Sequence, residues 1–350
     1  MKTEIVKIDR SHLQEEELRK AGKLIAEGQL VAFPTETVYG LGGDALDPDA
    51  AAKIYAAKGR PSDNPLIVHI ADFSDLTRIA KEVPPEAKKL SDAFWPGPLT
   101  MIVWKKDLVP YATTGGMDTV AIRMPNDAIA LELIRKSGKL IAAPSANTSG
   151  RPSPTEASHV AEDLDGKIAM ILDGGPVGIG IESTIIDLTE PVPMVLRPGY
   201  ITPQMLSEVL GKEVVIDPGI IAADDTKKPK APGMKYKHYA PKADMTIIEG
   251  NEAAVVEKIN ALVQQQEAKG VSCAVIATEE TKERYRADVV LSMGNRRNED
   301  EIAQHLYKIL RECDELSVGA IYSESFETPR IGNAIMNRLL KAAGHQVIQV

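Results

Sequence analysis

The chain has 350 residues, enough for two ordinary domains, and its 43% hydrophobic content argues against an intrinsically disordered protein. The formal net charge of -9 disfavours a broad nucleic-acid-binding surface, so an anionic ligand would have to be held by a few placed cations. The two cysteines are far apart and outside any C-x-x-C pattern, which is typical of a reducing compartment. The sequence lacks the apolar core of a signal peptide and any long apolar run. These features predict a cytoplasmic protein that does not span a membrane.

The first two-thirds of the chain alternate between predicted strands and helices. A strand over 4–9 precedes a helix that we expect Ser11 to cap and that runs to about Gly28. Further strands are predicted over 30–36, 65–72, 99–105, 119–124 and 140–144. Three apolar segments then follow too closely for helical crossovers, which predicts antiparallel pairing among them. These patterns predict an α/β domain over 1–217 with one large, twisted, mixed sheet.

The composition changes after this domain. Six lysines between Lys227 and Lys242, three prolines and little apolar periodicity predict a linker over 218–244. Strand and helix then alternate over 245–350, with one helix expected to begin after Asn298. This alternation predicts a small, doubly wound, parallel α/β domain. No G-x-G-x-x-G motif follows its first strand, so the predicted fold implies no dinucleotide.

Two segments of the first domain offer groups suited to ligand binding at predicted strand and helix ends. The segment 34–45 (PTETVYGLGGDA) has hydroxyls and glycines, but taken alone it favours a glycine-rich connecting turn. In the segment 58–69 (KGRPSDNPLIVH), Lys58 and Arg60 suit a phosphate or carboxylate, and helix C-capping explains the two cations equally well. His69 lies in an apolar strand, where a hydrogen-bonded core histidine is the commoner interpretation.

Two later segments extend this pattern. The segment 143–155 is dense in hydroxyls, which suit phosphate and sugar oxygens, and Ser145 lacks the G-x-S-x-G elbow of a nucleophile. In the segment 174–199, Arg197 is either a third anion-binding cation or a solvated strand-edge residue. The sequence has no P-loop, no kinase signature and no zinc spacing. Bound ATP would therefore be held without the commonest nucleotide-binding motif.

Together these segments resemble the YrdC-like domain of threonylcarbamoyl-AMP synthases, which supply the threonylcarbamoyl group of the tRNA modification t6A. The resemblance is carried by Lys58-Gly-Arg60, by Ser145-Ala-Asn147 and by the surrounding strings PTETVYGLG and SANTSGRPSPT. The string PGMKYKHYAP and the small C-terminal domain resemble the two-domain branch of that family. The resemblance covers essentially the whole chain. It implies synthesis of L-threonylcarbamoyladenylate from L-threonine, bicarbonate and ATP, with release of pyrophosphate.

The resemblance also implies roles for individual residues. Lys58 and Arg60 would be catalytic, facing the bicarbonate-derived carboxylate and the phosphates. The expected ATP contacts are Arg60, Asn64, Thr119, Ala143, Ser145, Asn147, Ser153, Arg197 and Tyr239. The expected L-threonine contacts are Thr37, His69, Arg123 and Ser183. No protein ligand for a metal is predicted, and Mg²⁺ is expected to bind mainly through the ATP phosphates.

The linker and the partners allow more than one interpretation. The lysine-rich linker, with Tyr239, would act as a lid over the triphosphate or as a solvated spacer. The product is expected to pass to a tRNA-modifying transferase. An RNA-binding module is a weaker alternative, because the net charge is -9 and aromatic residues make up only 4%. A carbamoyltransferase is another, although that family carries acylphosphatase-like and zinc-binding regions that this chain lacks.

Overall fold

The computed structural model describes residues 2–220, 238–326 and 328–350, which divide into two compact units. Of these residues, the first unit contains 2–149, 153–178 and 182–220, and the second contains 150–152, 179–181 and 238–350. Most of the predicted linker lies outside the described residues. Its role as a lid and the boundaries at 217 and 244 therefore stay predictions.

The first unit is built from one sheet and the helices that cover it. Its strands are β1 (Glu4–Lys7), β2 (Val31–Phe33), β3 (Gly40–Asp44), β4 (Ile67–His69), β5 (Leu99–Trp104), β6 (Thr119–Arg123), β7 (Ile141–Ala142), β8 (Met170–Asp173), β9 (Thr184–Asp187), β10 (Met194–Arg197) and β11 (Val215–Ile216). Its helices are α1 (Glu15–Ala26), α2 (Pro48–Lys58), α3 (Ser74–Ile79), α4 (Pro85–Phe94), α5 (Tyr111–Thr114), α6 (Ala128–Ser137), α7 (Ala157–Leu164) and α8 (Pro203–Leu210).

The strand order confirms the large mixed sheet but corrects one predicted pairing. The order is β1-β8-β2-β3-β7-β4-β6-β5-β9-β10-β11, with parallel and antiparallel neighbours. Of the three closely spaced apolar segments, β9 and β10 pair antiparallel as predicted. The first of them, β8, instead pairs parallel with β1 and β2. Close spacing excluded a crossover helix, but it did not exclude a loop that leads to a distant part of the sheet.

Two local predictions in this unit are also wrong. Ser11 does not cap α1, which begins at Glu15; its amide and hydroxyl donate to the Asp9 carboxylate over 2.8 and 2.6 Å, so Ser11 belongs to a turn. The glycine-rich segment is more than a connecting turn, because β3 is a fully buried strand of the sheet. A Cβ atom at Gly42 would lie 2.8 Å from side-chain atoms of both Phe33 and Ile141, so glycine allows β3 to pack there.

The second unit is the predicted parallel domain. Its strands are β12 (Asp244–Glu249), β13 (Cys273–Ala277), β14 (Val289–Ser292), β15 (Ala320–Glu324) and β16 (Val347–Gln349), and its longer helices are α9 (Glu252–Glu267), α10 (Glu299–Glu315) and α11 (Gly332–Ala342). The sheet order is β14-β13-β15-β12-β16, and each of these pairs is parallel. Asn298 caps α10 as predicted, its side chain accepting from the Glu301 amide. No described helix combines the length and apolarity that crossing a bilayer would require.

Candidate active site

Four of five neighbouring strands bring predicted site residues to one edge of the first sheet, where these strands begin or end. His69 at the end of β4 lies beside Arg123 at the end of β6, and Arg123 lies opposite Thr100 at the start of β5. The neighbouring strand β9 begins just after Ser183, and the end of β10 brings Arg197 beside it. The registers of these strands therefore align the four predicted residues in a row along the sheet edge.

Next to His69 in this row, Arg123 joins the sheet edge to the loop after β2. Its Nη1 atom donates to Thr37 Oγ1 over 2.9 Å, and Thr37 Oγ1 lies 2.8 Å from the hydroxyl of Thr35. The side chains of Arg123 and Thr37 are buried. Two predicted threonine contacts that are distant in sequence are thus held together by a directed hydrogen bond.

At the other end of the row, Arg197 holds Ser183 in place. The guanidinium donates to the backbone oxygen and to the hydroxyl of Ser183 over 3.0 and 3.1 Å. The Ser183 hydroxyl also lies 2.8 Å from that of Thr100. Because Arg197 is buried, its interpretation as a solvated edge residue is wrong, and its positive charge lies within the site.

The lysine of the K-x-R motif meets the S-x-N motif. Helix α2 ends at Lys58, and Gly59 follows in the left-handed conformation that commonly ends a helix. The Lys58 side chain is 2% exposed, and its Nζ donates to the backbone oxygens of Ser145 and Asn147 over 2.5 Å each. The Ser145 hydroxyl in turn donates to Asn147 Oδ1 over 2.5 Å. Helix capping alone does not explain this contact, because the ammonium binds a different loop and carries a buried positive charge to it.

Arg60, Asn64 and Thr119 lie at the opposite end of the same strands. Arg60 donates to the backbone oxygens of Asn64 and Pro65 over 3.3 and 3.0 Å. The parallel pairing of Ile67 with Ala121, extended by two residues, places Thr119 beside Pro65. Asn64 Oδ1 is buried and has no hydrogen-bond partner among the residues that the structure describes. An unsatisfied acceptor of this kind indicates a place where a ligand could donate a hydrogen bond.

Backbone hydrogen bonds connect the loops that carry these groups. The Tyr39 amide donates to the Pro154 oxygen over 2.9 Å, and the Ala146 amide donates to the Tyr39 oxygen over 2.8 Å. The Ala143 amide donates to the backbone of β4 over 2.8 Å. Ser153 donates to the buried Glu182 carboxylate over 2.5 Å. The parts of the segments 34–45, 143–155 and 174–199 that belong to the first unit are therefore connected to one another.

Tyr239 is the one predicted contact that belongs to the second unit. Its ring centroid lies 5.1 Å from that of Tyr307, and its backbone has a φ of 63°. Left-handed backbone is uncommon for a residue with a bulky side chain, so this position is locally constrained. The expected contact of Tyr239 with ATP stays a prediction.

The site contains three residues that sequence reasoning missed. Glu36 forms an ion pair with Arg123, Glu182 accepts from Ser153, and Thr100 lies against Ser183. Glu36 lies inside the string PTETVYGLG, which carries the family resemblance, and Glu182 lies inside the segment 174–199, so their position in these segments was an available signal. Thr100 lies in the apolar strand LTMIVWK, and nothing in that string marks it.

His69 is a buried, uncharged histidine beside Arg123. Its Nδ1 lies 3.1 Å from the Ile67 backbone oxygen, and its ring meets Phe33 edge-on. Burial, with a smaller contribution from the positive charge of Arg123, lowers the pKa of His69 to about 3. The imidazole is therefore neutral at neutral pH, and it offers its ligand a neutral donor or acceptor.

The lowered pKa of His69 predicts a loss of stability in acid. The unfolded chain binds a proton near the ordinary histidine pKa of about 6.5, whereas the folded protein does so only near 3. The free energy of unfolding should therefore fall as the pH drops from about 6.5 towards 3, by at most about 1.4 kcal/mol per pH unit from this residue. The free energy of unfolding, measured by denaturant titrations at several pH values between 7 and 4.5, should change less steeply with pH in His69→Asn than in the exposed control His12→Asn. Equal slopes would contradict the prediction.

Known proteins resemble this chain along nearly its whole length. A family model described as Telomere recombination (Sua5, YciO, YrdC) matches residues 23–199, and one described as Threonylcarbamoyl-AMP synthase, C-terminal domain, matches residues 201–344. A threonylcarbamoyl-AMP synthase of Pyrococcus abyssi (strain GE5 / Orsay) is 50% identical over 342 residues, or 97% of this chain and 98% of the relative. One of Bacillus subtilis (strain 168) is 51% identical over 334 residues, or 95% and 94%.

The fold also matches a solved structure. The crystal structure of P. abyssi Sua5 complexed with L-threonine has a TM-score of 0.95 and 48% sequence identity, and the match covers 99% of this chain and 100% of that one. Agreement over this length includes the first unit, which carries the row of residues at the sheet edge, and the parallel second unit.

Proposed function

The chain belongs to the threonylcarbamoyl-AMP synthase family, and on that premise we propose that it makes L-threonylcarbamoyladenylate from L-threonine, bicarbonate and ATP, releasing pyrophosphate. The observation that best supports this proposal is the buried ammonium of Lys58, held against Ser145 and Asn147. The loop it binds is tied by backbone hydrogen bonds to the segment that carries Thr37. A fixed cation there suits a reaction in which every reactant carries negative charge.

The reaction needs alignment and charge neutralisation more than a strong base. The amine of threonine forms a bond to the carbon of bicarbonate, one C–O bond of bicarbonate breaks, and the departing hydroxide leaves as water with a proton from the amine, which gives an N-carboxylate. An oxygen of this carboxylate then forms a bond to the α-phosphorus of ATP, while the bond to the pyrophosphate oxygen breaks. A site that fixes both reactants and excludes water lowers the barrier to each step.

The positions of the side chains support separate binding positions for threonine and for ATP at the two ends of strands β4 and β6. Arg123, Thr37 and His69 lie at one end and would hold threonine. Arg60, Asn64 and Thr119 lie at the other end and would hold the nucleotide, with the free Asn64 oxygen accepting from it. The β6 strand from Thr119 to Arg123 spans about 13 Å, a separation suited to an amino acid and a nucleotide bound side by side.

Mg²⁺ would be bound through ATP in this proposal. Among the described residues, no group of three or more His, Cys, Asp or Glu side chains could hold a metal ion. The groups around Lys58 are an ammonium, amides and hydroxyls, which suit phosphate oxygens better than a cation. When bound, the ion would neutralise charge on the triphosphate, while Lys58 and Arg60 would do so from the protein.

The product is chemically labile, so the enzyme that uses it must act soon after the product forms. A carbamoyl group joined to AMP is a mixed anhydride that water can hydrolyse, so it must be used promptly. We infer that a tRNA-modifying transferase consumes it for t6A, and that the chain works in the cytoplasm. Direct RNA binding by this chain is not needed for that transfer.

The proposal is tested by measuring pyrophosphate release from ATP with each substrate left out in turn. Release should require both L-threonine and bicarbonate, and the product should contain both the threonine carbon skeleton and labelled bicarbonate carbon. Release that continues without threonine would contradict the proposed substrate. Release that continues in bicarbonate-free buffer would contradict the carboxylation step.

A further inference from the structure

The ion pair between Glu36 and Arg123 has unused hydrogen-bonding capacity. Glu36 Oε2 lies 2.7 Å from Arg123 Nη2, and the two side chains are only 13% and 5% exposed. Yet both Glu36 carboxylate oxygens and Arg123 Nη2 lack a hydrogen-bond partner among the described residues. The carboxylate of Glu36 and the guanidinium of Arg123 are in contact, but they are not aligned for a directed hydrogen bond. Buried charged groups normally complete their hydrogen bonds, so these three atoms require an explanation.

The neighbouring groups do not supply the missing bonds. Arg123 uses its other two nitrogen atoms on Thr37 Oγ1 and on the Gly97 backbone oxygen, over 2.9 and 3.4 Å. The nearby carboxylate of Asp127 accepts from two amides at the start of α6 and pairs with Arg10. Glu36 therefore remains a buried carboxylate with both oxygens available, and Arg123 Nη2 remains a buried donor.

We propose that Glu36 and Arg123 together recognise the zwitterion of the α-amino acid substrate, with Glu36 accepting from its ammonium and Arg123 donating to its carboxylate. A zwitterion carries one positive and one negative group on the same carbon. Its ammonium can therefore lie beside the carboxylate of Glu36 while its carboxylate lies beside the guanidinium of Arg123. Each charge of the ligand then supplies a hydrogen-bond partner that the pair lacks. Charge-assisted hydrogen bonds are strong, and burial strengthens them further.

This assignment rests on the proposed function and extends it. The family resemblance assigns threonine contacts to Thr37, His69, Arg123 and Ser183 but gives Glu36 no role. Glu36 would be the residue that selects a free amino acid over ligands that carry only a carboxylate and a hydroxyl. A ligand that lacks the ammonium would gain no hydrogen bond from Glu36 and would therefore bind more weakly than threonine.

Binding of two matched ligands to the full-length protein tests the proposal. L-Threonine and 3-hydroxybutyrate share the carboxylate and the hydroxyl, but only threonine has the ammonium. By calorimetry without ATP, Glu36→Gln should weaken threonine binding by about 10- to 100-fold and change 3-hydroxybutyrate binding by less than about threefold. The control Glu132→Gln, on α6 and paired there with Arg135 and Lys136, should change neither affinity.

The alternative, that Glu36 only positions Arg123, gives a different result. Both ligands would then lose affinity by the same factor, and that outcome would overturn the proposal. Unchanged threonine binding in Glu36→Gln would overturn it as well. If that variant does not fold, Glu36→Asp keeps the charge and should still prefer threonine; equal losses for both ligands there would count against the proposal. Failure of the unmodified protein to bind threonine would instead contradict the proposed function itself.

Discussion

Replacing Lys58 with methionine should lower the rate of pyrophosphate release by about 1,000-fold, which corresponds to about 4 kcal/mol of lost transition-state stabilisation. Methionine keeps most of the side-chain volume but removes the buried ammonium that binds the Ser145 and Asn147 oxygens. That charge would no longer offset the negative charge that develops as the carboxylate approaches the α-phosphate. Steady-state assays at saturating ATP and threonine would measure the effect.

The control for this variant is Lys53→Met on the same helix. Lys53 lies five residues before Lys58 on α2, is exposed, and donates to the Gly28 backbone oxygen over 2.6 Å. Its replacement should leave turnover within about twofold, because exposed contacts of this kind contribute little. Removing the Lys58 donor also takes one hydrogen bond from each of the Ser145 and Asn147 backbone oxygens, at a cost of about 1–3 kcal/mol each. The assay temperature must therefore lie below the melting transition of the variant, and turnover within tenfold of the unmodified protein would contradict the assigned role.

Replacing Arg123 with lysine should raise the KM for threonine by about 100-fold, with little change in the KM for ATP. Lysine keeps a positive charge beside Glu36, so the buried carboxylate of Glu36 still has a neighbouring cation. It loses the planar fork that reaches Thr37, Glu36 and the Gly97 oxygen at the same time. The threonine carboxylate would then meet a single, differently placed ammonium.

The matched control is Arg135→Lys on α6. Arg135 is half-exposed and pairs with Glu132 over 3.6 Å on the same helix. Both KM values should stay unchanged in this control. An equal rise in the KM for threonine and for ATP in Arg123→Lys would point to general disruption of the site, and an unchanged KM for threonine would remove Arg123 from the substrate contacts.

Local patterns in the sequence were enough to locate most elements and the motifs of the site. The five strands of the second unit, its parallel sheet and the Asn298 cap follow from apolar periodicity and capping chemistry, which act within a few neighbouring residues. The K-x-R and S-x-N motifs were recognisable because their residue types and spacing are distinctive when they occur together. The choice between a helix cap and an anion-binding role for Lys58 remained open at that level.

The contacts and strand pairings that join residues distant in the chain were visible only in the tertiary structure. Lys58 meets Ser145 across 87 positions, and Arg123 meets Thr37 across 86. The parallel pairing of β8 with β1 and β2 has the same long-range origin, as does the burial of β3. Ser11 was assigned to a helix because a capping residue and a turn residue have the same local chemistry.

Local patterns along the chain were therefore enough to predict the two α/β folds, the approximate positions of their strands and the family of the chain. The order of the strands, the burial of Lys58 and Arg197, and the pairing of Glu36 with Arg123 became visible only in the folded protein. This difference arises because helix caps and apolar periodicity act over a few residues. Desolvation and ion pairing depend on which distant segments the sheet brings together, and that information is not contained in any short stretch of the chain.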